Sequence, residues 1–168
     1  MTYTKMPSQL DLGRHVTSTI GWLLSISRDA QLADMFAHTG LRKVMGLQIP
    51  DWQRGSTWTR KQQIRLIESL WLGVPIGTMS VNLVSNSAQY DCLVIDGQQR
   101  LTAIEAYLKD SFPVFGYHHS ELSREDTVRF KMAKFPRFET SSTSEDYLRS
   151  YYNLLNFGGT PHNEDERA

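Results

Sequence analysis

The chain has 168 residues, 40% of them hydrophobic and 11% aromatic, with 18 basic and 18 acidic side chains and no formal net charge. That length suits one ordinary domain, and that balance excludes a polyelectrolyte gripping nucleic acid by bulk charge alone. A single cysteine, Cys92, excludes an intrachain disulfide.

No apolar run approaches bilayer length and no signal-peptide core opens the chain, so a cytoplasmic protein is expected. Five scattered histidines and one cysteine offer no zinc-ligand spacing. Residues 1–46 read as an N-terminal helical segment packed on the core, and residues 47–168 as the single globular unit. Ile20, Leu23, Leu24 and Ile26 mark a first helix. Ser27-Arg28-Asp29 caps a second through Leu32, Met35 and Phe36, which Gly40 ends.

The stretch from Leu47 to Trp58 is too polar and irregular for core and reads as a loop, with Pro50 holding Ile49 extended. Trp52 and Trp58 are expected to anchor it, the alternative being that one stacks on a base. Gln53 and Arg54 read equally as a surface pair or as ligand contacts. Thr59 and Gln62 form a capping box at the head of a helix whose stripe is Ile64, Ile67 and Trp71, widened by Leu66 and Leu70. Gly73 and Pro75 stop it. Arg60, Lys61 and Arg65 sit near its start, where the helix dipole disfavours cations and an anion would relieve the cost. Arg42, Lys43, Arg54, Arg60, Lys61 and Arg65, with Asp51 the one acid among them, form a basic band suited to DNA or phosphate. Balanced helix charge is the alternative.

Thr78 to Leu83 alternates as a half-buried strand, and Tyr90 to Ile95, Cys92 included, returns antiparallel as a hairpin. The chain is organised around the next segment, Asp96-Gly97-Gln98-Gln99-Arg100, wedged between an apolar strand and a helix carrying Leu101, Ile104 and Leu108. Asp96 stands at the N-cap. Gly97 lets the backbone turn and a ligand approach. The free amides of a helix start receive anions, and Arg100 can clamp a phosphate on two atoms. The plainer reading makes these a cap, a turn and a surface charge.

Phe112 to Phe115 reads as a short extended piece, and Ser123 with Asp126 caps a helix through Phe130 and Met132. Phe135-Pro136-Arg137-Phe138 stops that helix and residues 139–144 form a loop. A last helix carries Tyr147, Leu148, Tyr151, Leu154 and Leu155. It runs into Asn156-Phe157-Gly158-Gly159-Thr160-Pro161, whose glycines make either a helix cap or a phosphate nest. An acidic tail from Asn163 is expected to fray.

Three segments occur in order: Ile49-Pro50-Asp51-Trp52-Gln53-Arg54, Asp96 to Thr102, and Asn156 to Pro161. Together they resemble the DGQQR-motif family of ParB/sulfiredoxin-like domains, the N-terminal half of GmrSD-type modification-dependent restriction enzymes and of phosphorothioate-sensing defence proteins. The resemblance implies an α/β fold with a small mixed sheet, a hairpin and flanking helices. It implies an NTP site formed by Asp96, Gly97, Gln98, Gln99 and Arg100. Gln53 and Arg54 would face that site, and Asn156, Gly158, Gly159 and Thr160 would close it. Asp96 would hold a magnesium ion or orient a water, and Gln98 or Gln99 would position the attacking water. The expected activity is metal-dependent NTP hydrolysis serving DNA restriction or its regulation. The alternatives are a non-catalytic DNA- or nucleotide-binding module and a DNA nickase. Such enzymes continue into a His-Asn-His nuclease domain that 168 residues do not accommodate. The expectations are then a protein that senses, regulates or inhibits, or one that acts with a separate nuclease subunit. His162 also stands where a leucine-like residue commonly follows the glycine turn.

Overall fold

The computed structural model describes Met6 and residues 8–157. Among these, six helices flank a mixed sheet of six strands in the order β1-β6-β4-β5-β3-β2. The strands are β1 (Arg14–Val16), β2 (Arg42–Val44), β3 (Leu47–Ile49), β4 (Met79–Asn82), β5 (Leu93–Asp96) and β6 (Arg137–Thr140). The helices are α1 (Ile20–Ser27), α2 (Ala30–Met35), α3 (Arg60–Leu72), α4 (Gln98–Leu108), α5 (Arg124–Met132) and α6 (Glu145–Phe157).

The hairpin is as expected: β4 and β5 run antiparallel, with Ser80 opposite Asp96 and a register shift between Ser80 and Val81. Each central strand also has a parallel neighbour, β6 beside β4 and β3 beside β5. Because both faces are covered, all four residues of β4 are buried, where alternation suggested a half-buried strand. Alternation sorts the faces instead. Met79, Val81, Val94, Leu47 and Ile49 enter the core under α1, α3, α4 and α5. Leu93 and Ile95 face the other way, against Leu148 and Tyr151 of α6.

Several expectations need correcting. The N-terminal segment is not only helical: β1 and β2 lie within it and form the two edges of the sheet. Leu47–Ile49 is core rather than loop. Gln48 is fully buried there, its amide nitrogen donating to the carbonyls of Ala88 (2.7 Å) and Asp91 (2.8 Å) and its oxygen accepting from Thr39 (2.6 Å). A buried amide with every group paired costs little, so a polar residue does not disqualify a strand. Residues 137–140 form β6, not a helix stop and a loop. Their charges cancel in place, with Arg137 Nη2 2.6 Å from Glu139 Oε1 and the guanidinium 3.8 Å from the centre of the Trp22 ring. Cys92 precedes β5 with φ 49 rather than lying in the strand. The piece after Phe112 turns back on itself, Val114 bridging Tyr117.

Other local signals hold. Asp29 caps α2, accepting from the amides of Gln31 (2.9 Å) and Leu32 (3.1 Å). The Thr59–Gln62 capping box opens α3, Gly73 closes it, and Ser123 caps α5.

Candidate functional site at the strand–helix joint

The joint between β5 and α4 is a corner in which most side chains already have partners. Gly97 occupies the N-cap position of α4 at φ 109, and no side chain caps the helix. A Cβ on Gly97 would stand 2.8 Å from Met79 Cβ, so only glycine fits between the corner and β4. Asp96 does not cap, contrary to the expectation. Its Oδ2 lies 2.6 Å from Arg100 Nη2, one helical turn ahead. Arg100 Nη1 donates to the carbonyls of Ile76 (3.1 Å) and Thr78 (3.2 Å) in the loop that leaves α3. Gly77 makes room for it, since a Cβ there would sit 2.9 Å from that nitrogen. The guanidinium is therefore neither a surface charge nor an empty clamp.

Gln99 holds the other end of α3. Its Oε1 accepts from Ser56 Oγ (2.7 Å) and from the amides of Thr57 (3.0 Å) and Trp58 (3.2 Å). Two adjacent residues of α4 thus fasten the loop entering α3 and the loop leaving it. Gln53, the expected partner across the site, is buried and donates to the carbonyls of Val94 (2.6 Å) and Ile95 (3.1 Å) at the end of β5. It fixes the strand that delivers the corner.

Three groups are left over. Gln98, at the first position of α4, is buried, and its side-chain amide has no hydrogen bond among the described residues. Arg54 is exposed with no ion pair or side-chain hydrogen bond among them. The first amides of α4 lack a side-chain acceptor, so a polarised N–H edge remains at the corner.

On the α6 side, Tyr151 reaches the corner through a 2.9 Å hydrogen bond between its hydroxyl and Ser80 Oγ. Burial pushes the phenol up, the Ser80 bond acts against this, and the charge of Asp96 adds to the rise. Neither Ser80 nor Tyr151 is among the residues expected at the site, although Ser80 is the cross-strand partner of Asp96 in the expected hairpin. Asn156 is exposed in the last turn of α6, its amide donating to Tyr152 O (2.9 Å). Gly158, Gly159 and Thr160 lie outside the described residues.

The basic band is divided between elements. Arg42 and Lys43 lie on edge strand β2, and Arg42 donates to Gln53 O at 3.0 Å. Arg60, Lys61 and Arg65 lie on α3, where the Arg60 guanidinium covers the Phe112 ring at 4.6 Å. Among the described residues no group of three or more His, Cys, Asp or Glu side chains converges as a metal site, and no helix is long and apolar enough to cross a membrane.

A mixed sheet covered on both faces, with a glycine-pivoted corner opening an uncapped helix, defines an α/β domain built around a strand–helix joint. The chain belongs to the family described as the GmrSD restriction endonuclease, N-terminal domain, which it matches over residues 32–167. That stretch holds β2 to α6 and the corner, whereas β1 and α1 precede it. No curated protein and no solved structure matches the chain.

Proposed function

We propose that the chain binds a nucleotide at the start of α4, with its phosphates on the uncapped amides, in the service of DNA restriction or its regulation. One observation carries this. Gly97 at the N-cap has no side chain and Asp96 before it is paired with Arg100, so the first amides of an eleven-residue helix have no side-chain acceptor. Arg54 supplies an unpaired cation, and Gln98, a largely buried side chain, an unpartnered amide for orienting a ligand or a water. A divalent cation here would take Asp96 as its one protein carboxylate and draw its other ligands from phosphate and water. Hydrolysis requires that carboxylate to be shared with Arg100. The 2.6 Å pair therefore favours binding as the basal property and turnover as a conditional one.

The restriction role rests on family membership, and DNA contact through Arg42, Lys43, Arg54, Arg60, Lys61 and Arg65 belongs to the same reading. A nuclease subunit or domain would supply cutting.

Thermal-shift titration with ATP, GTP and CTP, with and without magnesium, tests binding. At least one nucleotide should raise the melting temperature of the wild type, and Gln98→Ala with Arg54→Ala should abolish the shift while leaving the ligand-free melt in place. A shift that persists in that double variant sinks this assignment of the site. Phosphate release by the wild type and not by Asp96→Ala would establish turnover.

A further inference from the structure

We propose that a groove between the C-terminal ends of α3 and α5 docks an amphipathic, acid-bearing segment of a partner protein. This goes beyond nucleotide binding and does not depend on it. The groove has a volume of about 720 Å³. Its walls are apolar, including Trp71, Pro75, Ile76, Phe130, Ala133 and Pro136. Leu72, Val74 and Met132 line it with exposures of 70%, 51% and 67%. Val128, one turn before Met132 on α5, is 52% exposed and extends the patch. Large apolar side chains left in water at this density mark an interaction surface.

The chemistry of the occupant follows from which polar groups remain available. The carbonyls of Ile76 and Thr78 accept from Arg100, that of Trp71 from Arg129 (3.3 Å), that of Ala133 from the Ile20 amide (3.0 Å), and that of Pro136 from the Met79 amide (3.0 Å). These five acceptors are already engaged within the chain. Apolar side chains lose nothing by entering. The charged side chains lining the groove are both cationic, Arg129 and Lys134, and no acid lines it. Lys134 is exposed with no ion pair among the described residues, and Arg129, though it lies over the Trp71 ring at 5.0 Å with Asp126 3.9 Å away, stays 65% exposed. The occupant those cations select has apolar anchors along one face and carboxylates at its margin, the pattern of a helix lying in a groove. The loop from Ile76 to Thr78, which lines the groove, also accepts the hydrogen bonds of Arg100, so groove and corner share that loop.

Fluorescence anisotropy on the full chain tests this, with a labelled amphipathic helical peptide bearing leucine anchors and flanking glutamates and its counterpart with lysine for glutamate. The acidic peptide should bind saturably and the basic one about tenfold or more weakly. Met132→Gln should weaken the acidic peptide by about tenfold, and Lys134→Glu should shift the preference towards the basic one. Both positions are exposed, and unchanged thermal melts would show that the variants fold. Equal binding of the two peptides, no binding of the acidic one, or binding indifferent to Met132→Gln overturns the proposal. Binding of bis-ANS alone, removed by Met132→Gln, would also overturn it by making the groove a site for small organic anions.

Discussion

Asp96 and Arg100 face each other at 2.6 Å across the first turn of α4, and the same guanidinium reaches back to two carbonyls beyond the end of α3. The pair joins β5, α4 and the loop into β4 at one point. Removing either partner leaves the other part-buried and unmatched, and such groups are costly in proportion to their desolvation.

Asp96→Ala and Arg100→Ala should each cost about 1–3 kcal/mol in urea unfolding, the lower end reflecting partial solvent screening. The double variant should cost less than the sum, with a coupling of about 1 kcal/mol or more. Strict additivity would show that the pair does no structural work.

Much of this corner could be read from the chain, because its signals are local. A hydrophobic run, a glycine and a 3.6-residue apolar period place the strand, the pivot and the helix within a residue or two. The capping residues Thr59, Asp29 and Ser123 announce their helices for the same reason. What the sequence hid is tertiary. β3 and β6 contain Gln48, Arg137 and Glu139, residues that look like loop until their partners arrive from Ala88, Trp22 and Arg14. At the corner itself, residue type suggested ligand contacts for Gln53, Gln99 and Arg100. Apart from the Asp96–Arg100 pair, their side-chain hydrogen-bond partners lie 22 to 44 positions away, and no periodicity reports such pairings.

Gln99 gives the next expectation. Its carbonyl oxygen alone gathers Ser56, Thr57 and Trp58 at the entrance to α3. Gln99→Ala should destabilise the fold by about 1–2 kcal/mol and speed amide exchange at Thr57 and Trp58. Gln99→Glu keeps an acceptor and should retain most of that protection. If alanine left exchange at both amides unchanged, the role assigned to this side chain would be wrong.

A pH dependence arises from Glu139 in β6. Burial acts to raise its carboxyl, but hydrogen bonds from Arg14 (2.7 Å) and Arg137 (2.8 Å), with the charges behind them, outweigh this and hold it below the ordinary value of 4.5. A carboxyl depressed by folding stabilises above the unfolded value and loses that contribution as pH falls through the folded one. Stability should therefore drop on acidification from about pH 4.5 downwards, and Glu139→Gln should start lower and show a shallower slope there. Parallel acid-unfolding curves for the two proteins would remove Glu139 as a source of the dependence.

Cys92 gives the last expectation, a kinetic one. Burial pushes its thiol up to about 12, with the Asp91 charge and hydrogen bond adding to the rise. The thiolate is the reactive species, so at neutral pH almost none exists in the folded chain, and the side chain is 3% exposed besides. Ellman's reagent at pH 8 should label the native protein only through opening events, slowly, and label the urea-unfolded protein at once and stoichiometrically. Because Cys92 leads into β5, whose far end carries the Asp96 corner, the native labelling rate also reports on how often that strand lets go. Asp96→Ala should accelerate it, and a saturating nucleotide bound at α4 should slow it. Rapid labelling of the native wild type would mean that this end of β5 is open in solution.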